Sequence, residues 1–173
     1  MPLRAPVLAL LLAAAGAPAA AQSSPCDDVS YAREFRSRYP NELNKVFERE
    51  FMDQAAWNAR AKAIADHVVA AGAATREQQN ASTLEIMKSP AIRAFDEQAR
   101  KAGDDFRLRN DTLVATPPLA ILDPMRPNRA WCMLASQALQ SLQDKVAAES
   151  ASWAAQDQLL LAAAAARGVR FAP

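Results

Sequence analysis

Two cysteines, Cys26 and Cys132, constrain this chain more than any other feature, because together they bear on both its compartment and its topology. Neither belongs to a C-x-x-C arrangement, so redox catalysis is not indicated. They lie about 100 residues apart, and a disulfide between them would clamp the segment before the first helix onto the start of the last one. In the chain-entropy account, closing a loop of that size contributes up to about 4.7 kcal/mol. The alternative is two separate free thiols, one of them buried.

The residues ahead of Cys26 favour the disulfide. Met1 to Arg4 form a short positive head, Ala5 to Ala15 an apolar run centred on Leu8, Leu10, Leu11 and Leu12, and Gly16 and Pro18 precede Ala19-Ala20-Ala21. This is the layout of a secretory signal, with cleavage expected before Gln22. The apolar run covers about 11 residues and contains Pro6, against roughly 20 for a spanning helix, so no transmembrane anchor is expected after cleavage. Pro25 also occupies the position where lipidation of Cys26 would want a small residue. The expected organisation is a cleaved signal over 1–21 and a single helical domain over 22–173. Its expected location is periplasmic or secreted, where disulfides persist.

Charge narrows the partners. Removal of Arg4 with the signal turns 20 basic against 19 acidic residues into an even balance. Nucleic acid would call for an excess of Lys and Arg on one face, and anionic lipid for a polybasic patch. Neither partner is expected.

Only four glycines interrupt an alanine-rich chain, which favours helix over sheet. Tyr31, Phe35 and Tyr39 share one face of a first segment that Pro40 is expected to close. Leu43, Val46, Phe47 and Phe51 continue the apolar stripe, and Asp53 either caps a fresh start or lies inside one helix. Trp57, Ala61, Ile64, Val68 and Ala71 follow, with Gly72 as terminator. Thr75 and Gln78 have capping-box spacing, and Ser89-Pro90 reads as N-cap and first helical residue. Ile92, Phe95, Ala99 and Ala102 then run to Gly103, a second expected stop.

From Asp104 to Asn128 the pattern changes. Phe106 to Arg109 and Thr112 to Ala115 alternate around Asn110-Asp111, which suggests a small β-hairpin over 106–115, the alternative being irregular loop. Four prolines between Pro117 and Pro127 extend the crossover. Asn128 is the expected cap of the longest helix, ending before Gly168, with Cys132, Ala135, Leu139, Leu142, Val146 and Trp153 on one seam. Glu149 breaks that seam, and forty helical residues would span about 60 Å, long for a compact domain of this size, so a bend around Glu149 to Ser152 is expected, or a far end carrying Leu159 to Leu161 that projects onto another chain. The expected fold is all-α, an irregular bundle of about five helices with a Pro-rich crossover.

No constellation fixes a chemistry. His67, the only histidine, has Ala63 and Ala71 as its same-face neighbours, so no metal pair forms around it. No phosphate-binding glycine loop, dinucleotide fingerprint or nucleophile elbow occurs. Neither catalytic residues, metal nor cofactor are assigned. The crossover offers a candidate interaction loop instead: Leu119, Ile121, Leu122 and Met125 sit among prolines beside Arg126 and Arg129. Prolines lower the ordering cost of such a segment. The expected function is that of an exported binding protein whose partner is another envelope or secreted protein. An apolar small-molecule carrier using the Tyr31 to Phe51 aromatics and an envelope hydrolase using dispersed carboxylates are the alternatives.

Overall fold

The computed structural model describes residues 24–115 and 127–171. Among them every regular element is helical: a 3₁₀ turn at Pro25–Asp27, then α1 (Val29–Ala70), α2 (Arg76–Met87), α3 (Pro90–Ala115) and α4 (Pro127–Ala166). The all-α class is as expected, with four α-helices among the described residues instead of about five. The signal segment and the candidate loop Leu119, Ile121, Leu122, Met125 and Arg126 lie outside the described residues.

Local chemistry accounts for most of the boundaries. Asp28 caps α1, its carboxylate accepting from the backbone N–H of Ser30 at 2.7 Å and of Tyr31 at 3.2 Å. Gly72 follows α1 at φ 68°, and Gly168 follows α4 at φ 79°, conformations that glycine adopts without strain. The Thr75–Gln78 capping box is closed in both directions, at 3.2 and 3.0 Å. Ser89 accepts from the N–H of Ile92 at 3.5 Å, ahead of Pro90 at the start of α3.

Register shows how the helices assemble. Glu50 meets Lys145, Asp53 meets Ser150 and Arg60 meets Asp157, at sequence separations of 95, 97 and 97. A near-constant separation means that α1 and α4 run parallel. Gln79 meets Arg167, Asp96 meets Ser152 and Arg109 meets Gln137, one index rising as the other falls. The α2–α3 leg is therefore antiparallel to α4. All three other helices pack on α4, while α1 and α3 touch through Phe47 and Phe106, whose ring centroids lie 6.2 Å apart. Cys26 and Cys132 form the expected disulfide, with Cα atoms 5.7 Å apart across 106 residues of sequence.

Apolar packing concentrates at the two ends of α4. At the disulfide end Cys26, Ala32, Phe35, Tyr39, Leu113, Cys132, Ala135 and Ala138 form one cluster. Ile64, Val68, Leu160, Ala164 and Val169 form the other. Part of the aromatic stripe is thus core, since Phe35 and Tyr39 are 5% and 6% exposed. Phe47 and Phe51 are exposed instead.

Further expectations are corrected. Pro40 lies inside α1. An interior proline costs about 3 kcal/mol, but Tyr39 and Leu43 on either side pack into the same apolar cluster and hold the helix across it. Neither does Gly103 end α3, nor do residues 106–115 form a hairpin; the helix runs unbroken to Ala115. Ala99, Phe106 and Leu113 recur at helical spacing toward α4, and the alternation was misleading because Leu108 points outward, 69% exposed. Asn128 lies within the first turn, α4 beginning one residue earlier at Pro127. Finally, α4 passes Glu149 to Ser152 without interruption. Polar residues there find partners: Glu149 pairs with Lys145 and Ser152 donates to Asp96. Its far end does not project, because α1 is equally long and Leu160 is 2% exposed against it.

The disulfide and the glycines give direct tests. Replacing Cys26 and Cys132 together by alanine should lower stability by about 2–4 kcal/mol, read as a Tm fall of roughly 5–15 °C. Gly103→Ala should raise stability by about 0.5–1 kcal/mol, since glycine is costly in a helix interior and the added Cβ meets only the flexible Lys145 stem, 3.4 Å away. At Gly72 the same change should lower stability by about 1 kcal/mol, because φ is positive there. Chemical denaturation of the three variants checks all of this.

Candidate binding groove between α1 and α4

Because α1 and α4 are parallel and in register, their flanks enclose a long groove. Its upper part, a cavity of about 720 Å³, is lined by Glu42, Lys45, Val46 and Arg49 of α1 and by Gln140, Gln143, Asp144, Val146, Ala147 and Ser150 of α4. Ser150 also lines a second cavity of about 440 Å³, where Asp53, Ala56, Trp57 and Arg60 face Trp153, Ala154 and Asp157. Heptad-like spacing brought out Trp57 and Trp153 separately in the sequence. Only the register places their rings together, 6.5 Å between centroids and 20° from parallel.

The polar groups of this region are mostly paired. Arg60 donates to Asp157 at 2.6 Å, Arg49 lies 3.7 Å from Asp53, and the Ser150 hydroxyl donates to Asp53 at 3.2 Å. On the side of α4 facing α3, Lys145 donates to Glu50 at 2.7 Å and to Glu149 at 2.8 Å. Burial alone would lower the lysine pKa, but the hydrogen bonds to Glu149 and Glu50 more than offset it and hold Lys145 above the ordinary 10.5. Glu50 and Glu149 thus converge as two carboxylates, yet around an ammonium that neutralises them. General acid–base work needs one carboxyl free to hold and release a proton. This trio is better suited to joining α1 to α4.

Ser152 and Gln156 continue the polar interior, Gln156 donating to Ser152 at 3.1 Å and Ser152 to Asp96 at 2.9 Å. Two aromatic polar atoms are buried without a partner among the described residues, the Tyr39 hydroxyl and the Trp57 indole N–H. Burial pushes the Tyr39 phenol above its ordinary pKa of 10.0. His67 packs its ring against Phe171, with centroids 4.8 Å apart. Among the described residues no three His, Cys, Asp or Glu side chains come together as metal ligands, and no helix is long and apolar enough to cross a membrane.

No family model matches the chain, and comparison with curated proteins and with solved structures finds no match.

Lys145→Met should cost about 1–2 kcal/mol at neutral pH. That is less than the about 3–5 kcal/mol for breaking a fully buried pair, since 23% of the Lys145 side chain stays exposed. The sign with pH follows from the raised pKa: the lysine's contribution is full below its unfolded pKa and is lost as pH rises through the folded one. The stability gap between wild type and variant should therefore narrow above about pH 10.5, as urea titrations at several pH values would show. Tyr39→Phe removes a buried hydroxyl that has no partner, so its stability should be unchanged or higher by up to about 1 kcal/mol.

Proposed function

We propose that this chain is an exported helical binding protein, periplasmic or secreted, that acts through protein contacts and carries no catalytic activity. One observation supports the reading most. Phe51 and Met52, adjacent on α1, are 68% and 65% exposed, and Phe47 one turn earlier is 44% exposed. Much of the buried interior, meanwhile, is made from alanine and paired polar residues. Large apolar side chains left at the surface are candidate contact points for a partner, and on α1 these are Phe51 and Met52, with Leu108 and Val114 exposed on α3 as well. The disulfide supports export, because such bonds persist in oxidising compartments. The crossover residues Leu119, Ile121, Leu122, Met125 and Arg126 supply a second candidate surface, distinguished by sequence alone.

Export and contact are tested separately. Expression of the full chain in a bacterial host should yield an envelope-fraction protein whose mass begins at Gln22; a cytoplasmic product retaining Met1 to Ala21 would overturn the export reading. For contact, a photoreactive residue at Phe51 should crosslink to a discrete partner in envelope extract, and the adduct should be lost in Met52→Ser with no change in Tm. A photoreactive residue at Ile121 reports the crossover in the same assay. Absence of adducts at both positions would remove the protein-contact reading.

A further inference from the structure

We infer that the Trp57–Trp153 end of the α1/α4 groove is a saccharide-binding site, and that the groove above it takes the rest of a neutral oligosaccharide chain. Two half-buried indoles with nearly parallel planes line a surface cavity of about 440 Å³, together with Asp53, Arg60, Ser150 and Asp157. A pyranose ring presents a face of polarised C–H groups and an edge of hydroxyls. The electron-rich indole face suits the first, and planar carboxylate and guanidinium groups suit the second.

Charge decides against other ligands. Arg60 pairs with Asp157 at 2.6 Å and Arg49 lies 3.7 Å from Asp53, so each acid in the cavity has its base. A phosphate would meet the carboxylates, and a quaternary ammonium the guanidinium groups. A neutral ligand meets neither penalty. A proline-rich strand would also stack on tryptophan, but proline has no N–H to give, and Asp53 and Asp157 only accept. Sugar hydroxyls both donate and accept, which matches a lining of mixed donors and acceptors.

The length of the groove points to a chain of sugars. Ser150 belongs to both cavities, and Gln140, Gln143 and Asp144 carry the same planar polar chemistry upward. From Glu42 to Arg60 the groove follows α1 for about 27 Å at 1.5 Å per residue. This site stands apart from the exposed Phe51 and Met52 surface and does not depend on it.

The three tryptophans make the test specific. Trp131 belongs to the cluster at the disulfide end, so Trp131→Phe leaves an emission that comes from the groove pair alone. This protein is titrated with cellotetraose, chitotetraose and maltotetraose, and separately with a proline-rich peptide. At least one tetrasaccharide should give a saturable change in emission. Ala154→Arg fills the cavity from an exposed helix position, and should weaken that response tenfold or more with an unchanged circular dichroism spectrum. Ala56→Arg blocks the facing wall, and gives the same reading should Ala154→Arg fail to fold. Phe51→Ser should leave the titration unchanged. The inference is overturned by no response to any of the three sugars, by a sugar response that survives the blocking variant, or by a response to the peptide alone.

Discussion

Everything in this molecule depends on α1 and α4 lying side by side and parallel. Parallel helices cannot be joined by a short turn, since the end of one lies a full helix length from the start of the other. Here the chain makes the return journey through α2 and α3, and the disulfide from Cys26 to Cys132 ties the two starting ends together. Arg129 and Asp27 pair beside it, adding a polar contact at the same end. The covalent link lies within the apolar cluster that contains Phe35, Tyr39 and Ala135, so cross-link and core reinforce one another.

Away from that end the packing changes character. Alanine at positions such as 135, 138, 148 and 164 of α4 lets neighbouring helices come close, but contributes little apolar area per residue. The interior between the two clusters uses hydrogen-bonded polar groups in part: Lys145 between Glu50 and Glu149, and Ser152 on Asp96. Such pairs add modest net stability, but they have only one register in which all are satisfied. A slip of one turn between α1 and α4 would separate Glu50 from Lys145 and Arg60 from Asp157 at once. Polar specificity thus does for the middle of the bundle what the disulfide does for its end.

The groove is a consequence of the same register. Two parallel helices with long polar side chains on their outer flanks leave a channel, and the positions lining it are fixed by which residue stands opposite which. Trp57 and Trp153 form a pair because both lie one turn beyond the Asp53–Ser150 contact on their respective helices. The crossing from apolar cluster to polar middle and then to aromatic pair follows α4 through Ala138, Lys145 and Trp153.

How much of this was present in the sequence depended on how local the physics was. The helical class, the capping box at Thr75 and Gln78, the stops at Gly72 and Gly168, and the Ser89-Pro90 start all involve residues within one turn of each other, and the chain alone determined them. The pairing of the two cysteines was an expectation of the sequence, and the structure forms it. The continuity of α1 through Pro40, of α3 through Gly103 and of α4 past Glu149 went against local preference. At Pro40 and Gly103 the packing of flanking residues on other helices outweighed a helix penalty of about 0.5–3 kcal/mol, and at Glu149 the pair with Lys145 satisfied the charge that breaks the apolar seam. Leu108 read as one side of a strand because alternation and helical spacing agree over so few residues; burial of Phe106 and Leu113 against α4 separated the two. The groove and its tryptophan pair were decided by tertiary structure alone, since residues about 100 positions apart become neighbours only once two whole helices have settled into register.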